Sequence, residues 1–281
     1  MFKHTLPEDN RGTRDALYRG DVLLLPGTPT SKALAAEVRE ALEEALGPDP
    51  RRAQFELSGD EFFARCGRLR KRFYGGARYH EAIQAMLGEL DFDPAQIAIE
   101  PIRLRIVAHG AAEDPKAAPV YYGHRDTWYA HPQQLVTWWI PIHDLEARET
   151  FEFLPEYFDR EAPNDSEKFD YDTWLARDTT LKVGWQNPDA GREALYPRLL
   201  DELPEAERRG FSCKAGQLML FSGSHLHQTR PNWTHQTRFS LDFRTVHLGD
   251  RAEGRGAPNP DNRSSGSALQ DYLMPPGAAS P

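Results

Sequence analysis

Between residues 31 and 94 the apolar positions recur every three or four residues. Leu34, Val38, Leu42 and Leu46 form one stripe, with Ala41 and Ala45 beside it and Gly47-Pro48 as a stop. This spacing predicts an amphipathic helix packed on a partner surface. A second helix is predicted from the Ser58-x-x-Glu61 capping pattern through Phe62, Cys66, Leu69 and Phe73 to Gly75-Gly76. A third runs through Ile83, Met86, Leu87 and Leu90 and closes at Asp91-Phe-Asp-Pro94. From about residue 97 the period drops to two. Ile97–Val107, Gln134–Ile142, Gln217–Phe221 and Arg238–Val246 alternate over much of their length, as half-buried strands do. No regular strand-helix alternation accompanies them, so the simplest architecture is mainly β with α: an antiparallel barrel, closed or of two sheets, with the N-terminal helices covering one sheet.

Residues 156–171 are acidic and contain Pro, Asn and Ser, reading as a long excursion between strands of the kind that forms lids. After Gly249 the chain turns to Gly, Pro, Ser and Asn. Residues 249–281 are therefore expected to be a flexible tail, with Leu269–Met274 the part that could dock. The remainder, residues 1–248, reads as a single domain with helical support over about 30–90 and a β core over about 97–247.

Composition adds exclusions. With 281 residues, 39% of them hydrophobic and 11% aromatic, the chain can bury a core, which rules out wholesale disorder. The formal charge of −9 disfavours nucleic acid as a partner, because neutralising a phosphate backbone needs a basic face. No run approaches the roughly 18 apolar residues of a membrane span, and the stretch after Met1 lacks a signal-peptide core. Only Cys66 and Cys213 are present, in no C-x-x-C context, so neither a disulfide framework nor a Cys-built zinc site is expected. These features predict a cytoplasmic protein; its oligomeric state is not legible.

Two clusters carry candidate chemistry. In Tyr121-Tyr-Gly-His-Arg-Asp-Thr-Trp-Tyr-Ala-His131, the side chains of His124 and Asp126 leave one face if the backbone is extended. One nitrogen and one oxygen ligand then point at a common spot, and two His plus one carboxylate on one face is how oxygen-activating enzymes hold iron(II). Alone, such a triplet is more often a loop His and Asp that happen to be close. The same letters mimic the H-R-D of a kinase catalytic loop, but no D-F-G and no Gly-rich loop follow. A second His must come from far along the chain. The stretch Lys214–Arg244 offers His225 and His227, then Asn232, and a strand opening with Arg238.

Taken in order, the two clusters resemble the iron(II)/2-oxoglutarate-dependent oxygenases, most closely the phytanoyl-CoA dioxygenase-like branch. In that branch the distal metal His is followed by Asn at five residues and Arg at eleven. His227, Asn232 and Arg238 fit, preceded by Gly216-Gln-Leu-Met-Leu-Phe221, and the resemblance spans roughly residues 100 to 246. It implies a double-stranded β-helix of the jelly-roll or cupin kind. It implies His124, Asp126 and His227 as the iron ligands, with Arg238 clamping the distal carboxylate of 2-oxoglutarate. It also implies iron(II), 2-oxoglutarate and O2 as the reacting set, and oxidation of a small organic substrate, by default hydroxylation, with release of succinate and CO2. Halogenation is disfavoured, since that branch replaces the carboxylate ligand that Asp126 supplies here.

A guanidinium fork independently suits a buried dicarboxylate. Ser240, two residues on, could add a hydroxyl donor from the same strand face. Thr137 and Trp139 share a face of their strand, and in the resembling enzymes a Trp at about this place donates its indole N–H to 2-oxoglutarate; Trp139 aligns better than Trp138, with core packing the alternative for both. Arg103 and Arg105, on an apolar strand, are candidates to hold a buried acid group, because charges there need a partner. His225 would share a face with His227 if the strand persisted through it. His131, His143, His235 and His247 read as surrounding or surface imidazoles, the Arg65–Arg72 basic run as a solvated helix face, and Trp128 and Tyr129 as packing or substrate-facing. Two readings of other classes remain: a non-redox metal-binding cupin-type enzyme, either an isomerase or a zinc hydrolase, and a non-catalytic binding domain on the same scaffold.

Overall fold

The computed structural model describes residues 1–74, 76–177 and 196–278. Its largest element is a seven-stranded sheet in which β1 (Phe2–Lys3), β2 (Val22–Leu25), β7 (Leu218–Ser222), β5 (Leu135–Pro141), β9 (Arg238–His247) and β3 (Ile97–Ile99) follow one another, with β4 (Arg103–Val107) also on β9. A second sheet pairs β6 (Phe151–Phe153) with β8 (His227–Thr229). The expected mixture of helices and antiparallel strands is present, but the hydrogen-bonded strands do not close into a barrel among the described residues.

The period of two decides what each face of the main sheet does. From β9, Phe239, Leu241 and Phe243 enter one core with Val136, Trp138 and Ile140 of β5 and Leu218 and Leu220 of β7. That core is completed by α2 (Pro29–Leu46), α3 (Gly59–Phe73) and α4 (Ala77–Glu89), through Leu34, Val38, Leu42, Phe62, Phe73, Ile83 and Met86. The opposite face carries Trp139, Met219 and Phe221, which pack on Phe151 and Phe153 of the small sheet, and the polar row Arg238, Ser240, Asp242 and Arg244. The helix starts follow from their caps: Thr28 accepts from Ser31 N–H at 3.1 Å ahead of Pro29, and Ser58 accepts from Glu61 N–H at 3.3 Å. Gly47, at φ 99, occupies the left-handed region that ends α2. Gly75, half of the expected stop of α3, lies outside the described residues. No helix of the described residues is long and apolar enough to cross a membrane.

Two expectations are corrected and one silent stretch is filled. The residues ahead of the helical support, where the spacing predicted no element, form β1, α1 (Asn10–Tyr18) and β2. Strand β2 is paired on both sides and buried on both faces, so its run Val22-Leu-Leu-Leu25 shows no alternation. The predicted strand over 97–107 is two, because Glu100-Pro101-Ile102 lies between the pairs Ile99↔Thr245 and Arg103↔Asp242. Three residues there face two on β9, and Pro101 has no N–H to give the ladder.

The second correction concerns the end of the chain. After α6 (Leu248–Ala252) the segment expected to be a flexible tail packs down: Ala257, Asp261, Ala268, Leu269 and Tyr272 are buried, and Leu273 bridges to Ile99. Asp261 is its principal anchor. Its carboxylate takes Arg125 Nε at 2.9 Å, Trp128 Nε1 at 2.8 Å and the Ala162 N–H at 2.9 Å, all buried. Breaking such a pair from one side strands a charge, so Asp261→Asn is expected to cost about 3–5 kcal/mol in urea-induced unfolding. Glu146→Gln, whose partner Arg148 is exposed, is expected to change little.

Candidate active site

His124 and His227 face each other across a two-way backbone bridge, His124 N–H to His227 O and the reverse, both at 3.0 Å. Each ring is turned by its own Nδ1: that of His124 lies 2.8 Å from Tyr122 O and that of His227 3.0 Å from His225 O. Donation there fixes the tautomer and leaves both Nε2 atoms as lone-pair ends. Burial pushes the His227 imidazole down to about 4, so it is neutral at ordinary pH. Backbone extended through Arg125 brings Asp126 to the same side. Ligand atoms of His124, Asp126 and His227 all lie within 4.8 Å of one another.

Asp126 is held on both oxygens. Thr137 Oγ1 donates to Oδ2, and Arg244 Nη2 donates to Oδ1 at 2.9 Å. Burial alone would raise its carboxyl, but the Arg244 guanidinium and neighbouring His124 hold it well below the usual carboxylate range. Arg244 gives its other nitrogen, Nη1, to Glu100 at 2.8 Å, and Arg103 reaches the second Glu100 oxygen at 2.7 Å. Burial opposes ionisation of Glu100 too, yet Arg103 and Arg244 bring it down to about 2. Glu100 enters the site because the register of β3 on β9, Ile99↔Thr245, sets the next residue opposite Arg244, whose carbonyl accepts its N–H at 2.8 Å.

These groups line one cavity of about 280 Å³, which also includes Trp139, Phe221, Tyr129 and Arg238. Arg238 is buried, with one long contact to Glu149 O at 3.4 Å and an Nε that has no hydrogen-bond partner among the described residues. Burial lowers it to about 10, so it remains a cation in need of an anion. Ser240 Oγ, two residues along the same face, is likewise buried without a partner. Trp139 packs edge-on against Phe151 and Phe211 and lines the cavity, whereas Trp138 lies in the helix-side core and donates to Thr245 Oγ1 at 2.8 Å.

Most of the chain matches the sequence profile of one family, described as Phytanoyl-CoA dioxygenase (PhyH), over residues 32–240. The chain belongs to that family. It is accordingly an oxygenase of the iron- and 2-oxoglutarate-dependent type. Curated protein sequences yield no match. Among solved structures, the chain is similar to EvdO2 from Micromonospora carbonacea var. aurantiaca complexed with 2-oxoglutarate, at 13% identity and TM-score 0.45, covering 87% of this chain and 94% of that one. It is also similar to the epimerase SnoN in complex with Fe3+, alpha ketoglutarate and nogalamycin RO, at 14% identity and TM-score 0.39, covering 90% and 98%. A third is the non-heme monooxygenase ThoJ, at 15% and 0.38, covering 79% and 71%.

For a PhyH-family chain, the structure brings together His124, Asp126, His227, Arg238 and Trp139 at one cavity. Two residues expected to bind the cosubstrate line the cavity and have protein partners there. Thr137 spends its hydroxyl on Asp126, and Arg105 is bound through two nitrogens to Asp242 at 2.8 and 2.9 Å. His225 does not share a face with His227, because β8 begins only at His227; its ring is buried against Phe158, at 4.6 Å between centroids. His131 lines the cavity and meets Tyr272 Oη at 3.0 Å, while His143, His235 and His247 do not reach it. Arg70 departs from the basic run Arg65–Arg72: it is buried and lines the cavity.

Sequence reasoning missed Arg244, Glu100 and Asp261. A signal for Arg244 was present, since it continues the polar alternation Arg238, Ser240, Asp242 on a strand whose other face is Phe, Leu and Phe. Arg244→Met is expected to cost the metal-free protein about 3–5 kcal/mol at pH 7 by leaving two buried carboxylates short of a cation. Glu100 is depressed to about 2 from an ordinary 4.5, so its contribution is full above the higher value and lost as pH falls through the lower. The deficit of Arg244→Met should therefore shrink as urea unfolding is repeated from pH 7 down towards pH 3.

Proposed function

We propose that His124, Asp126 and His227 hold the iron, that Arg238 and Ser240 receive 2-oxoglutarate, and that the protein hydroxylates a small organic substrate. What carries this reading is the pairing of three converging ligand atoms with an unsatisfied buried guanidinium in one cavity. The chemistry supplied by bound iron and 2-oxoglutarate is O2-dependent oxidation of a substrate C–H bond, with 2-oxoglutarate lost as succinate and CO2. The chain's own residues prepare that chemistry. Donation of Nδ1–H to carbonyls fixes each tautomer with Nε2 available, and Arg244 with Thr137 keeps Asp126 ionised and fixed. Arg238 offers a planar fork to a carboxylate, with the Ser240 hydroxyl beside it. Trp139, Phe151 and Phe221 exclude water around His227. A double-stranded β-helix is supported by the way the small sheet faces the polar side of the main one, extended by the bridges His124↔His227, Leu145↔Cys213 and Phe153↔Arg209. A cytoplasmic setting is supported by Cys66 and Cys213, which are buried free thiols.

The test uses the visible charge-transfer band that a keto acid gives on chelating iron(II) without oxygen. Wild-type protein with iron(II) and 2-oxoglutarate should show it, His225→Ala should retain it and His227→Ala should lose it; the reverse would move the ligand to His225.

Arg238 is tested by the same band. Arg238→Ala should weaken 2-oxoglutarate by about 2–5 kcal/mol while iron affinity stays nearly unchanged, because a charge-assisted pair is removed away from the metal. Arg238→Lys should recover only part of the loss, since an ammonium keeps the charge but not the fork. Wild-type 2-oxoglutarate affinity in Arg238→Ala would refute the clamp.

A further inference from the structure

On the footing of that reading, we infer that Tyr121 is a third donor to the distal carboxylate of 2-oxoglutarate, bonding it through the phenol beside Arg238 and Ser240. Three buried donors at this end of the cavity have nothing to donate to. Arg238 Nε, Ser240 Oγ and Tyr121 Oη are each buried and have no hydrogen-bond partner among the described residues. A buried polar group left without a partner costs free energy, and native structures hold few of them. Three such groups from two separate segments point to an acceptor that the folded chain does not itself supply.

Several contacts put Tyr121 at the Arg238 end. It closes the short 3-10 helix Pro115–Tyr121, whose Pro119 and Val120 line the cavity together with Arg238. Its carbonyl accepts Gln228 Nε2 at 3.0 Å, which fixes it against β8 one residue past His227. Arg238 itself lies opposite Val107 at the end of β4, and Val107 and Thr229 line the same cavity. Of the titratable groups acting on Arg238, Tyr121 has the largest effect. Phenol and guanidinium therefore stand within electrostatic reach of each other.

Together the three groups match one carboxylate. An ionised carboxylate only accepts, and its two oxygens offer about four acceptor sites, so two hydroxyls can bond it alongside a guanidinium without competing. Burial pushes the Tyr121 phenol up to about 12, against the opposing pull of Arg238. It keeps its proton at neutral pH and is available as a donor. Because the phenol has no bond in the unliganded protein, deleting its oxygen removes none there. The loss should fall on cosubstrate affinity and not on stability, an asymmetry that separates a binding hydroxyl from a structural one.

Tyr121→Phe is therefore compared with wild type in three measurements. With iron(II) and without oxygen, a 2-oxoglutarate titration followed by the charge-transfer band should show affinity about tenfold or more weaker in the variant. 2-Oxobutyrate, which lacks the distal carboxylate, should show no such difference between the two proteins. Urea unfolding of the metal-free proteins should find the variant at least as stable as wild type. The third measurement needs no iron: glutarate, a dicarboxylate without the keto group, should raise the melting temperature of metal-free wild type more than that of Tyr121→Phe. Equal 2-oxoglutarate affinity in the two proteins overturns the proposal, as does an equal loss with 2-oxobutyrate, which would put the phenol at the other end of the cosubstrate. So does a clear loss of stability, which would mean that the hydroxyl already has a partner in the fold. Absence of the band in wild type would count against the iron and 2-oxoglutarate reading, whereas an equal response to glutarate in the two proteins would count against Tyr121.

Discussion

Arg125 stands between His124 and Asp126, so backbone that sends those two side chains one way must send this one the other. There it is wholly buried, and an unpaired guanidinium would cost several kcal/mol. Asp261 makes the position tenable. The consequence reaches well beyond a single ion pair, because the same carboxylate also takes the Trp128 indole and the Ala162 N–H. One buried anion thus ties the loop bearing two of the proposed ligands to the excursion after β6 and to the C-terminal segment. Arg125 adds bonds of its own to Ser224 O, just before β8, and to Arg160 O. The alignment of His124 with His227 across their bridge rests on this packing from behind.

In front of the ligands the governing constraint is the strand period. On β9 the odd-numbered residues from 239 to 243 are large and apolar and fill the helix-side core, which leaves the even-numbered residues to furnish the cavity. That division explains how four polar side chains in a row can be buried: their strand is secured by the other face. It also explains the break before β4. The register of β3 carries Glu100 to a place opposite Arg244, whose carbonyl takes its N–H at 2.8 Å, and the three-against-two offset at Pro101 then shifts the parity so that Arg103 joins it on the same face. Asp126, Arg244, Glu100 and Arg103 then form an alternating chain of charges, each buried group having a partner of opposite sign.

How much of this was legible follows from range. The helices over 29–89 and the long strands announce themselves because a face repeats many times. Strands of two to four residues, such as β1, β2, β6 and β8, contain too few repeats to show a period. That His124, Asp126 and His227 converge was legible through the resemblance, whose spacing to Asn232 and Arg238 favoured His227 over His225, and Trp139, which aligned better than Trp138, lines the cavity. Thr137 lines the cavity, but its bond to Asp126 was not legible: parity says where a hydroxyl points, not which acceptor reaches it first. The tail was misread for a related reason. Gly, Pro, Ser and Asn composition describes local stiffness, while docking depends on Asp261 meeting Arg125, 136 residues away, and nothing local records that meeting.

Charge also governs how the proposed site would fill. Asp126 is the one anion among the three proposed ligands, and its charge is already shared with Arg244. Two imidazoles and a compensated carboxylate attract a divalent cation less than a free carboxylate would. Arg238, for its part, is a buried cation with no carboxylate bonded to it among the described residues. A metal ion alone would leave Arg238 unmatched, and a dicarboxylate alone would find Arg238 but no metal to chelate at the ligand end. Bound together they cancel each other's charge and satisfy both ends of the cavity, so on this assignment each makes room electrostatically for the other.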